Sequence, residues 1–211
     1  MSEKPVWMRA HGVPWRRGPA RAIYANPWIE VTEFAATAPT GNPATYGLVS
    51  FKNLAIAILP VHQDGTIELV GQHRLPFADY SWEIPEGGGA RDCDPLESAR
   101  RELAEETGLA ASDWSEILRV QLSYSVTDEL AIGYLATGLR LSAEGHVADA
   151  TEALARARVS FREVLSAVMA GQILDVLTVA MVLKAYHMAQ EGSLPPALAQ
   201  AMMGPGTGRH R

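Results

Sequence analysis

Apolar positions in this chain fall into short runs and into one clear helical stripe. Leu54 to Val61 is an apolar run. Gln63-Asp64-Gly65 is a hairpin turn signal, and Ile67 to Gly71 returns as a strand. Ile117 to Ser123 and Leu130 to Leu139 read as two further strands, with the polar loop Tyr124 to Glu129 between them. Trp82-Glu83-Ile84 is a short strand reached through a loop over Arg74 to Ser81, and it runs into a glycine loop at Gly87-Gly88-Gly89. Near the start, Ile23 to Phe34 is strand-like around an Asn26-Pro27 turn, and Pro39 to Pro43 forms another turn. Residues 1–18, rich in Pro, Arg and Gly, read as irregular.

The helical stripe is Leu96, Ala99 and Leu103. Asp94 is its N-cap, Pro95 its first helical residue, and Glu97 the fourth member of a capping box. Gly108 is placed to end it. Two more helices are expected, Phe161 to Met169 stopped by Gly171, and Asp175 to Gln190 capped by Asp175. Gly204 to Arg211 reads as a frayed tail. Hairpins mixed with a few helices predict an α+β fold.

Composition narrows the function classes. The 211 residues carry a net charge of −6, and the pI is about 5.5. Nucleic-acid binders normally present a basic face, so nucleic acid is not expected as a partner. Small anionic substrates remain open, because a bound metal can invert the local field. The single cysteine, Cys93, leaves no internal disulfide and fits a reducing cytoplasm. Met1 to Ala22 lacks an apolar run of leader length, and the longest apolar stretch, Val176 to Leu183, is far too short for a bilayer. The expectation is a cytoplasmic protein without a membrane partner.

On the 94–108 helix, Glu102 and Glu106 stand four apart in one column, and Glu106 borders the apolar stripe. Glu105 points further toward solvent. Like charges at this spacing cost about a few tenths of a kcal/mol per pair, and more when buried, unless a cation compensates. Hard oxygen donors on one face suit Mg²⁺ or Mn²⁺ together with substrate phosphates. Taken alone, such pairs are usually a solvated helix face. The preceding glycines, which let a backbone approach a ligand closely, shift the balance toward a phosphate-and-metal site.

Arg101-Glu102-Leu103-Ala104-Glu105-Glu106-Thr107-Gly108-Leu109 resembles the second half of the Nudix box, with Gly87 at the spacing of its leading glycine. Gly71-Gln72-His73-Arg74 and Trp82-Glu83-Ile84-Pro85-Glu86-Gly87 look like the segment before the box in ADP-ribose pyrophosphatases. Asn26-Pro27-Trp28 and Gly171 to Leu183 are similar to that subgroup's flanks. The resemblance covers roughly 20–187. It implies the Nudix α/β/α sandwich with a mixed β-sheet and an N-terminal β extension. The implied division is 1–45 as an extension serving dimerisation, 46–190 as the hydrolase domain and 191–211 as a tail.

The resemblance also implies roles. Glu102 and Glu106 are metal ligands, joined by the main-chain carbonyl of Glu86. Glu105 assists catalysis, and Arg101 orients the carboxylates. Arg74, Glu83, Gly87 and Gly88 bind substrate. Trp82 is a candidate base-stacking residue, although an aromatic beside a strand is more often core. Glu129, in the polar loop, is the candidate general base, with Asp128 as its rival. His73 is read as structural or a rim contact, and Glu152 as a surface acid. Cys93 stands where the family has a glutamate. Its neighbours Asp92 and Asp94 oppose thiolate formation, so neither a nucleophile nor a metal ligand is expected there.

The implied reaction is metal-dependent hydrolysis of a nucleoside-diphosphate pyrophosphate, with ADP-ribose giving AMP and ribose 5-phosphate. The competing readings are a nucleotide-sugar pyrophosphatase of the GDP-mannose type and a non-catalytic nucleotide sensor. A homodimer is expected, since Trp15, Trp28 and Phe34 lie in a short segment with little to bury them.

Overall fold

The computed structural model describes residues 4–143 and 153–204. Glu152, read as a surface acid, and residues 205–211 of the expected tail lie outside the described residues. Contacts divide the chain into two units, 1–52 with 123–128, and 53–122 with 129–211.

The first unit is a three-stranded antiparallel sheet. Strands β1 (Arg16–Ala25), β2 (Ile29–Thr37) and β3 (Pro43–Phe51) lie in the order β1-β2-β3. Asn26 makes the expected turn, its Oδ1 accepting from the backbone N–H groups of Trp28 and Ile29, both at 2.8 Å. Strand β1 starts within the stretch read as irregular, and it tolerates Gly18-Pro19 because the register shifts there, between Arg17 and Ala20. The segment 123–128 joins this sheet through a bridge between Val49 and Thr127, and through Asp128 Oδ1, which accepts from Phe51 N at 2.9 Å.

The second unit begins with β4 (Asn53–Pro60) and β5 (Thr66–Arg74). Strand β6 (Asp79–Glu83) follows, so the expected loop over 74–81 shrinks to four residues, 75–78. Ala78 takes a positive φ of 51° to make that turn. Next comes β7 (Glu86–Ala90), and the glycine loop is in fact a strand, paired antiparallel with β4. Helix α1 (Pro95–Thr107) is capped by Asp94 Oδ1, 3.0 Å from Leu96 N, and ends at Gly108 with φ 71°. Glu97 does not close the capping box: its carboxylate accepts from Arg100 at 2.8 Å.

A two-residue strand β8 (Leu109–Ala110) leads to β9 (Asp113–Gln121), β10 (Leu130–Thr137) and β11 (Arg140–Leu141). Then come β12 (Ala155–Ser160), α2 (Phe161–Met169), α3 (Val176–Gln190) and α4 (Pro196–Met203). Strand β12 and helix α4 were not expected. The helix lies within 191–211, the stretch expected to be a tail, and it buries Met202 in the core.

The sheet β7-β4-β10-β9 is mixed: β4 and β10 run parallel, and the outer pairs are antiparallel. Strand β4 is buried on both faces. Leu54, Ile56 and Ile58 face a cluster with Ala99 and Leu103 of α1. Ala57, Leu59 and Val61 face a second cluster with Leu177, Met181 and Val182 of α3. Helix, sheet and helix therefore form the α/β/α sandwich. A second sheet, β12-β5-β6, carries the hairpin that leads into β7.

Candidate active site

The site is built where α1 lies along β7. Both helical carboxylates turn toward that strand and both are buried. Glu106 Oε2 accepts from the backbone N–H of Glu86 at 3.0 Å. The Glu102 carboxylate rests directly on Gly87, where any Cβ would overlap it. Gly87 is therefore required for the approach of a carboxylate rather than for turn conformation. At Gly89 a Cβ would come within 2.9 Å of Ile56 and Ser98, so this glycine lets the helix seat.

Arg101 sits over the junction. One guanidinium nitrogen donates to Gly88 O at 2.9 Å and to Glu102 Oε1 at 2.6 Å, and the other donates to Glu105 Oε2 at 2.6 Å. Glu102 and Glu105 raise the Arg101 pKa despite the opposing effect of burial. The expected role of Arg101, orienting carboxylates, has this geometric counterpart.

Arg74 lies on the other flank. Its Nε donates to both oxygens of Glu83, at 2.9 and 3.1 Å, and its Nη2 bonds Glu83 Oε2 and Glu86 Oε1, the latter at 2.6 Å. Glu83 was expected to touch substrate; its side chain is instead 2% exposed and clamped by Arg74. The hydrogen bonds that Arg74 donates to Glu83 raise its pKa further, so its charge is permanent.

The Glu86 carboxylate is a feature the sequence reading missed, having considered only its carbonyl. Its Oε2 is buried and has no hydrogen-bond partner among the described residues. Burial first, then the negative charges of Asp175 and Glu83, push its pKa well above the ordinary carboxylate range. Asp175 appeared in the sequence only as a helix cap, which it is, accepting from Thr178 N at 2.6 Å. Thr178 in turn holds Ile84 N at 2.9 Å, which ties α3 to the strand entering the site.

Five acids thus converge on this corner, Glu83, Glu86, Glu102, Glu106 and Asp175, against the two cations Arg74 and Arg101. A surplus of buried negative charge with an orphaned carboxylate oxygen fits a hard divalent cation. Among the described residues, no three His, Cys, Asp or Glu side chains gather closely enough to cage a metal alone. Such a cation would need backbone, water or phosphate oxygens as well, the usual habit of Mg²⁺.

Other expected residues fall outside this corner. Trp82 stacks edge-on against Tyr80, and both lie with Gly71 and His73 on one face of the β5–β6 hairpin. Arg74 and Glu83 occupy the opposite face, so Trp82 and the charged corner are on different sides of one sheet. Glu129 immediately precedes β10. The register Ala131–Ala55–Gly88 places it level with Ala90 but two strands away, roughly 14 Å from Gly87 by standard strand spacings. Cys93 is exposed, its Sγ 3.8 Å from Asp92 Oδ1, and touches none of the buried acids.

Comparisons with known proteins bear on the same residues. A family model described as the NUDIX domain matches residues 52–172. The chain is 33% identical over 147 residues to an ADP-ribose pyrophosphatase of Mycobacterium tuberculosis, covering 67% of this chain and 69% of that protein. It is 32% identical over 124 residues to an ADP-ribose pyrophosphatase of Bacillus subtilis, covering 59% and 67%. A Bacillus methanolicus methanol dehydrogenase activator is 29% identical over 59% of this chain and 68% of that one. A solved ADP compounds hydrolase superposes with a TM-score of 0.77 over 88% of this chain and all of that one, at 15% identity, a likeness of fold.

Proposed function

This chain belongs to the Nudix family, and we propose that it hydrolyses the pyrophosphate of ADP-ribose to AMP and ribose 5-phosphate with the aid of Mg²⁺ or Mn²⁺. The observation that carries the reading is the pair of buried carboxylates, Glu102 and Glu106, pressed against the Glu86–Gly88 backbone. The substrate follows from two relatives that are ADP-ribose pyrophosphatases.

In this reading Glu102, Glu106 and the Glu86 carbonyl hold the cation. When bound, it would neutralise charge on the pyrophosphate oxygens and activate water. Arg101 fixes Glu102 and Glu105 in place, so the carboxylates need no reorganisation when substrate arrives. Arg74, already neutralising Glu83 and Glu86, presents only its remaining donor capacity to a phosphate. Water attacks one phosphorus, the bridging P–O bond breaks, and the attacking water loses a proton to a base. Glu129 serves as that base only if substrate binding closes its distance to β7.

We further propose that the protein works as a homodimer through its first unit. Its exposed tryptophans, Trp7, Trp15 and Trp28, support this.

The test is a panel of ADP-ribose, GDP-mannose and other nucleotide sugars, each with Mg²⁺, with Mn²⁺ and with EDTA. ADP-ribose should turn over best, and EDTA should stop it. A nucleotide sugar preferred at least about tenfold in kcat/KM would overturn the substrate. Tight binding without turnover would favour the sensor reading.

A further inference from the structure

A cleft of about 730 Å³ is lined in part by α1. Ala104 lines it, and Ala104 lies roughly 160° around the helix axis from both Glu102 and Glu106. The cleft is therefore not the carboxylate face. The helix contributes Arg100 and Arg101 to its lining, and Trp114 of β9 and Arg140 of β11 line it as well. Ser112 and Ser142 also line it.

Three arginines line the cleft, and they differ in what they already hold. Arg100 is paired with Glu97, and Arg101 with Glu102 and Glu105. The Arg140 side chain is exposed and has no hydrogen-bond or ion-pair partner among the described residues. Trp114 is half-buried and anchored: its Nε1 donates to Ala111 O at 3.2 Å, and Tyr134 meets it edge-on at 6.3 Å. An unpaired guanidinium and a fixed indole lining one space of ligand size suit a phosphate attached to a flat ring. Glu97 and Glu105 also line the cleft, which limits the charge it accepts to a small anion.

We propose that this cleft binds a mononucleotide, with the phosphate on Arg140, Arg100 and Arg101 and the base against Trp114. Arg101 joins the two faces of the helix, lining the cleft while holding Gly88 O and Glu102. A phosphate in the cleft competes with those acceptors for the same guanidinium. Occupancy therefore loosens Glu102 and lowers kcat, with little effect on KM.

The probe is AMP, titrated by calorimetry into the full chain in EDTA, which removes the cation the active site needs. Wild type and Glu106→Gln should bind one AMP per chain alike, and Arg140→Ser should bind at least about tenfold more weakly, a loss of about 1.4 kcal/mol. Arg100→Ser is the second variant, with a smaller expected loss. Turnover without AMP should be unchanged in Arg140→Ser, and AMP should depress kcat in wild type but not in that variant. Absence of AMP binding in EDTA, equal affinity in wild type and Arg140→Ser, or binding lost in Glu106→Gln would overturn the site. AMP binding that leaves wild-type kcat untouched would overturn the link through Arg101. The calorimetric arms read out whether or not ADP-ribose is the substrate.

Discussion

The two units of this chain contain strands of similar length and opposite character. In the second unit β4 has both faces covered, and Ile56, Ile58 and Leu59 are fully buried. In the first unit no described residue is buried, although its strands run nine and ten residues. Trp7 is 76% exposed and Trp28 66%. A single antiparallel layer can form every ladder hydrogen bond and still lack a hydrophobic core. Strand length thus says little about where stability resides; the number of covered faces says more.

The largest expected effect lies in the covered unit. Glu102→Gln and Glu106→Gln should each cut kcat roughly a hundredfold or more, about 2.7 kcal/mol of barrier. The amide keeps the shape but not the charge, so the metal-free melting temperature should hold or rise. Steady-state kinetics at sub-saturating Mg²⁺ check the first point and calorimetry the second. Wild-type rates in either variant would remove it from the proposed ligand set.

Next in size is a matched pair of truncations. Leu103→Ala empties a fully buried position and should cost about 2–5 kcal/mol of unfolding free energy. Trp28→Ala removes a larger side chain from the exposed layer, yet should change monomer stability by only about 0.5 kcal/mol. Its effect should appear in light scattering, as a shift from dimer toward monomer. Comparable destabilisation in the two variants, with no change in mass, would erase the contrast between the units.

Glu86→Gln tests the charged corner through pH. The folded pKa of Glu86 lies above its ordinary value. The proton-linked stability is therefore fully present below about pH 4.5 and is lost as pH rises through the folded pKa. Without metal, wild type should lose melting temperature relative to Glu86→Gln as pH rises from 5 toward 8, and added Mg²⁺ should narrow the gap. Parallel curves for the two proteins would mean that Glu86 carries no uncompensated charge. Smallest of all, Cys93→Ser should retain most activity, since the thiol is exposed and remote from the buried acids. A hundredfold loss of kcat there would contradict its exclusion.

Much of the covered unit was legible because its signals are local. The cap at Asp94, Pro95 and the stop at Gly108 lie within one helix, and the column of Glu102 and Glu106 follows from helical period alone. The apolar runs of β4 and β10 announce buried strands without knowledge of their partners. Strands β3 and β12 were missed because they are paired by neighbours rather than marked by their own pattern: one is half-exposed, the other alternates Ala with Arg.

What only the tertiary structure decided is which groups share a face or a charge. The chain alone named Arg74 as a substrate contact and Glu83 as another; folding brings them together, and each consumes much of the other's capacity. Sequence placed Trp82 beside Glu83, and the pleat sends neighbouring side chains to opposite sides of the sheet. Asp175 lies 89 positions beyond Glu86, yet its field helps to raise the pKa of that carboxylate. Periodicity and capping act over a few residues, so the sequence determines them by itself. Burial and Coulomb energy act through space, so they exist only once distant segments are packed together.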